Sequence, residues 1–443
     1  LKVAHGSLAA FAALLLLCGL PDAARAQRPV TPIDSLRLRV DSLMRQVDSL
    51  RALLARRPAG EAADTGDVLA RIRAAAAAAA AAGADTAPRM AAPEFVSRQR
   101  NLSALNPEIS VTGDVFAFSR SQQATSDNFV PREFEVSFIS NLDPFSRAKI
   151  FVAHHTHGGE VPPFGAEEEE DAHGAEVEIE EGYVEWVNLP AGLGLTVGKF
   201  RQRFGRLNRW HAHALPAQQL PLPFIAFLGE EGLAQTGASL HWLAPVHGFG
   251  TWEAWAEITR SSSETVFGES SGISGLAHVN AFFELSPATY FELGVSALTG
   301  AREDVVTNGE PAATGARVFG ADFTFDWRPP EQSRSRQFTL HGAAMLNRRV
   351  HDATEDVDAL GAFAIAEFKF ATQWTAGARY EYVENPDAPG EHAWLFAPSL
   401  TWWQSEFVRL RAEYDVYRGP IERFGQFVLQ ATFAMGPHKH ENY

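Results

Sequence analysis

The chain has 443 residues, of which 46% are hydrophobic and 21% charged, with a formal net charge of -16. So acidic a chain is no partner for nucleic acid, and a lone cysteine, Cys18, excludes a disulfide framework or a thiolate metal centre. The length admits several soluble domains or one large membrane barrel.

Lys2 precedes the apolar run "LAAFAALLLLCGL" at residues 8–20, and Ala24 and Ala26 stand before Gln27. This reads as a secretory signal over residues 1–26, since the run is shorter than the roughly 20 apolar residues a membrane-spanning helix needs. Cys18 would leave with it. Residues 27–57 follow as a coiled coil. Ile33, Leu36, Val40, Leu43, Val47, Leu50 and Leu54 alternate spacings of three and four, with Asp34, Asp41 and Asp48 recurring in step. Such a seam predicts self-association. Residues 58–105, rich in alanine and bounded by proline and glycine, predict a linker.

From residue 106 to 437 the texture changes to short alternating segments, a period-two signal. It is clear in "ISVTGDVFAF", "REFEVSFIS", "TWEAWAEIT", "VFGADFTFDW", "VRLRAEYDVY" and "GQFVLQATFAM". With weaker segments near residues 148, 178, 195, 238, 362 and 395, the pattern predicts an all-β fold, a transmembrane antiparallel barrel of about 16 strands. The breaks reinforce this. "NLDPFSR", "NLPAGLG", "APVHGFG", "SPAT", "PPEQSRS", "ATQW" and "WQSEF" are tight, while those between them are long, as in barrels with short turns at one end and long loops at the other. Phe319, Phe323 and Phe325 on one face oppose Asp322, Thr324 and Asp326 on the other, suiting lipid and water respectively. Trp252, Trp327, Trp394, Trp402, Trp403, Tyr380 and Tyr382 fall near strand ends as interfacial girdle residues would. A tail, residues 438–443, closes the chain.

The segment "GLTVGKFRQRFGRLNRWH", residues 194–211, resembles the "GK-aromatic … FG" strand of the phosphate-selective porin family. "NPEISVTGDV", "REFEVSFISNLDPF" and "LQATFAMGPH" are similar to distant relatives in which a coiled coil precedes the barrel. The resemblance implies sixteen strands, a trimer, and a third loop folded into the channel. The lumen-parity residues form no ladder of lysines, so phosphate selectivity is not carried over.

Candidate pore residues follow from parity and charge. Lys199, Arg201, Arg203 and Arg206 form the densest basic group of the barrel, a candidate arginine row at a constriction opposite acidic groups. Leu193, Leu195 and Val197 share the parity of Lys199 and Arg201, which predicts a bulge near Gly198 or packing of the lower strand. The next stretch, residues 208–236, is too apolar for a solvated loop. Folded inward, it would pack Trp210, Phe224, Phe227 and Leu228 on the wall and leave Glu230 and Glu231 near the opening; contact with a neighbouring protomer is the alternative. Arg379, Arg409, Arg411, Glu413 and Asp415 also take the water-facing parity. Finally, His154, His155, His157 and His173 lie among glutamates in an acidic outer segment, a mixture suited to weak capture of a divalent metal, although no fixed ligand spacing is present. No other cofactor is expected.

No zinc-peptidase motif, phosphate loop or dinucleotide fingerprint occurs, and the histidines of the strands fall on the lumen parity, so an enzyme is not expected. The sequence therefore predicts a porin for passive diffusion, embedded in the outer-membrane lipid of a diderm bacterium. It would be homo-oligomeric and able to reach peptidoglycan or the periplasm through its coiled coil. The alternatives are a structural tether between outer membrane and cell wall, and a metal-capturing uptake protein.

Overall fold

The computed structural model describes residues 107–121, 129–156, 158–165, 176–245, 250–305, 311–352 and 355–436. The expected signal, coiled coil, linker and tail lie outside these residues, as do His157 and His173.

Sixteen antiparallel strands form one closed barrel in chain order. They are β1 (Glu108–Arg120), β2 (Phe129–Asn141), β3 (Ser146–His155), β4 (Glu176–Leu189), β5 (Leu193–Arg201), β6 (Ala234–Leu243), β7 (Thr251–Arg260) and β8 (Ile273–Ser286). The second half comprises β9 (Thr289–Val305), β10 (Pro311–Trp327), β11 (Gln337–Asp352), β12 (Glu355–Lys369), β13 (Trp374–Glu384), β14 (His392–Trp403), β15 (Val408–Arg418) and β16 (Arg423–Met435). The expected fold class is borne out, including the weak segments, which become β3, β4, β5, β6, β12 and β14. Closure is made by β1 on β16, in unbroken register from Val111 opposite Met435 to Arg120 opposite Gln426. Among the described residues no strand edge is left open, as lipid requires.

Alternation turns one face of each strand outward. In β15, Arg409, Arg411, Glu413, Asp415 and Tyr417 are buried inside the barrel while Tyr414 is 49% exposed outside. Phe319, Phe427 and Leu429 are likewise exposed on the outer surface, and Trp242, Trp252, Trp374 and Trp403 face outward at the short-turn end. The connections read as tight all lie at one end of the barrel. The strict short–long order does not hold, since residues 353–354 alone join β11 to β12 and residues 419–422 join β15 to β16 at the other end. At the other end the long loops are uneven: β9 and β10 run 17 residues each and β11 runs 16, so much of the sequence there is strand rather than loop. A span needs about 9–11 residues, so these hairpins project beyond the apolar band.

The inner face is not uniformly polar. Toward the long-loop end it carries Leu276, Leu298, Val318, Met345, Phe363, Val383 and Leu395, all buried. Most of their partners come from the chain between β5 and β6, joined by Val161 and by Val266 and Phe267 of the connection between β7 and β8.

Candidate functional site: the lumen and its inward loop

Residues 202–233 leave β5 and fold into the barrel. The neck is tied by Asn208, whose Nδ2 donates to the carbonyls of Gln202 at 2.8 Å and Leu233 at 3.0 Å, while its Oδ1 accepts from Leu233 N at 2.8 Å. Two single-turn 3-10 helices (Leu207–Arg209 and Ala212–Ala214) and a short helix, α1 (Leu222–Leu228), make up the interior. Pro221 and Pro223 suit the start of α1, where no backbone N–H is needed. Phe204, Leu207, Leu215, Leu222, Phe224, Phe227 and Leu228 are all buried against the apolar upper wall. Two wall glycines seat this packing: a Cβ on Gly361 would stand 2.7 Å from Pro223 and 3.0 Å from Phe227, and one on Gly320 would stand 2.9 Å from Phe204.

The loop completes a circuit of the interior. Arg206 pairs with Glu292 of β9. His211 meets Glu135 of β2 at 2.8 Å, Glu180 of β4 at 2.9 Å and Glu181 at 2.9 Å. His213 meets Glu133 of β2 at 2.7 Å. Leu222 N then donates to Glu381 of β13 at 2.8 Å.

Arginines of the wall hold the loop by its backbone. Arg409 donates to the carbonyls of His213 at 2.8 Å and Leu215 at 3.3 Å, and Arg411 to that of Leu215 at 3.1 Å. Arg132 donates to the carbonyls of Gln218 and, at 3.2 Å, Ala212, while pairing with Asp114. Arg201 reaches Glu231 O at 2.5 Å and Glu180 at 2.7 Å. A guanidinium has several donors in a fixed fork and can serve a carboxylate and a carbonyl together.

The sequence-selected residues thus occupy distinct places. Lys199 is half-buried at the end of β5, 2.7 Å from Ile179 O and 3.6 Å from Glu178. Arg201 is buried beside Glu180, Arg203 lies over the Trp255 ring at 4.3 Å, and Arg206 pairs with Glu292. The four take separate partners along the loop's path. Gly198, with φ of 141°, lies close under Gly182 and Tyr183 of β4, and beyond it both Phe200 and Arg201 are buried, so strict parity ends at the bend. Burial and the nearby Arg209 push Arg203 down to about 10, leaving it cationic near neutrality. Glu230 is exposed, and Glu231 is half-exposed at the loop's exit. Arg379 is ringed by Glu381 at 2.8 Å, Glu413 at 2.9 Å and Asp415 at 3.3 Å. Of the four histidines, adjacent His154 and His155 lie on opposite faces of β3; His155 turns inward, 3.5 Å from both Glu180 and Glu231.

His211, His213, Arg132, Glu180 and Glu181 are the interior residues that parity and charge counting passed over. The alternating "HAH" at 211–213 signals the two histidines alone, in an irregular segment where parity means nothing, while Arg132, Glu180 and Glu181 lie on strands. Burial alone would push both imidazoles down, but the carboxylates of Glu135 and Glu180 hold His211 well above its ordinary range, and Glu133 raises His213.

No family model matches the chain. An uncharacterised protein of Aquifex aeolicus (strain VF5) is 26% identical over 302 residues, 59% of this chain, and the chain spans about 62% of that relative's length. Among solved structures, an anion-selective porin from Comamonas acidovorans superposes with a TM-score of 0.52 at 9% identity, over 74% of this chain and 99% of that one. OprB of Pseudomonas putida, in its high-pH structure, gives 0.50 at 10% identity, over 75% and 95%. At such identity the likeness is one of architecture: the chain is a porin-like, sixteen-stranded barrel of the outer-membrane type.

Proposed function

We propose that the protein is a passive diffusion porin of a diderm outer membrane, narrowed by residues 202–233, and that it passes small solutes or ions. One observation carries this reading. The closed barrel is apolar outside, and its interior loop is held by ion-paired wall arginines, so the lumen narrows at a fixed, charged ring. Packing of the loop on an apolar upper wall favours a narrow path, and rings of charge set ion preference in such paths. Arg203, Arg206, Glu230 and Glu231 are the side chains proposed to meet the permeating solute, whereas Arg379, Glu413 and Asp415 are buried and hold the wall. The trimer implied by the resemblance, and contact with peptidoglycan through the coiled coil, belong to the same proposal.

Planar-bilayer recording tests it. Stepwise conductance is expected from the full chain, with a severalfold larger step when residues 209–229 are replaced by a short Gly-Ser link. A silent barrel that still inserts would overturn the porin reading and favour the tether.

A further inference from the structure

Beneath the loop, four side chains from three separate segments converge. Glu133 and Glu135 are two apart on β2 and so share its inner face. Glu180 arrives from β4 because the β3–β4 register shifts between Phe151 and Val152, which turns both Glu180 and Glu181 inward. His211 descends from the loop. All four are buried, and one ligand atom from each lies within 4.8 Å of the others.

Hydrogen bonding leaves this group incomplete. His211 Nδ1 faces Glu135 Oε2 at 2.8 Å and Glu180 Oε2 at 2.9 Å, yet one ring nitrogen carries at most one hydrogen. Glu135 Oε2 is the oxygen left without a donor, and Glu133 Oε2 has none either, although both side chains are 1% exposed. Buried carboxylate oxygens without donors are costly. Arg201 is directed to Glu180 and the Glu231 carbonyl, and Arg132 to Asp114 and the Gln218 and Ala212 carbonyls, while Glu133 Oε1 is already taken by His213.

We propose that Glu133, Glu135, Glu180 and His211 form a binding site for a divalent first-row transition cation, clamped between the barrel wall and the inward loop. One imidazole with carboxylate oxygens is a donor set such ions accept, zinc among them. Ligand atoms held at about 2.0–2.1 Å around a tetrahedral ion lie roughly 3.4 Å from one another, so the four side chains must draw together as the ion enters. The cation would satisfy both orphaned oxygens and tie residue 211 of the loop to β2 and β4. The site differs from the acidic outer segment containing His157 and His173, and it does not depend on conduction.

The test is calorimetric titration of the folded full chain in detergent with zinc chloride, alongside Glu135→Gln, His211→Gln and a His157→Ala/His173→Ala double variant. Wild type and the double variant are expected to bind about one zinc per barrel, with affinity weakened by at least roughly 10–100-fold in E135Q and H211Q. Cobalt added to the wild type should give a visible ligand-field spectrum that zinc displaces. This readout needs no variant, so misfolding of a substituted barrel leaves the proposal exposed to failure. Absence of zinc heat and of the cobalt spectrum, equal affinity in E135Q and H211Q, or loss of binding in the double variant would each overturn it.

Discussion

Arg379 shows what a single side chain does in this interior. It is 2% exposed and has three carboxylates within 3.3 Å. Glu381, one of the three, also accepts Leu222 N at the start of α1. The guanidinium therefore steadies both the wall and the acceptor that anchors the loop. Removing one member of a buried ion group costs more than the group contributes, because the remaining charges stay desolvated. Arg379→Met should lower the unfolding free energy of the detergent-folded barrel by about 3–5 kcal/mol, read as a lower urea midpoint of its heat-modifiable gel shift. An unchanged midpoint would mean the three carboxylates are solvated or protonated without the arginine.

Among the elements, α1 is the one to which the proposed narrowing of the lumen is assigned. It is seven residues long, too short to be stable alone, and its position is set by the wall. Gly361 of β12 leaves room for Pro223 and Phe227, and interiors this closely packed accommodate an added side chain only by moving something. The strand is held by continuous backbone pairing on both sides, whereas α1 is held to the wall by apolar contacts and the Leu222 N–Glu381 hydrogen bond. Gly361→Val should therefore displace α1 and leave the barrel folded, raising and broadening the single-channel conductance. Identical conductance traces from the variant and the wild type would show that α1 does not narrow the path.

At the scale of the whole molecule, the barrel completes itself. Every strand pairs with both chain neighbours, and β1 closes on β16 through ten consecutive register pairs. Nothing in that circuit requires residues ahead of β1. A chain lacking residues 27–92 should insert and show the same heat-modifiable shift as the full chain, while its oligomer, read by crosslinking, should weaken if the predicted heptad seam drives assembly. Failure of the shortened chain to insert would refute the modular organisation.

What the sequence determined by itself was the barrel. Side-chain alternation has a period of two wherever a strand separates lipid from an interior, so "VRLRAEYDVY" already states which of its residues face inward, and the short turns mark one end of the molecule. The apolar character of residues 208–236 likewise indicated burial. The loop's path was decided only by tertiary structure. Arg409 and His213 are 196 residues apart in the chain, and what joins them is a guanidinium and a backbone carbonyl, which every residue possesses and no sequence pattern marks. The inward turn of both Glu180 and Glu181 has the same origin: a one-residue register shift against β3 breaks the alternation that sequence reading relies on. The same limit hides the seat beneath α1, since a glycine in a strand reads as a weak position until the side chain that needs its space is brought against it.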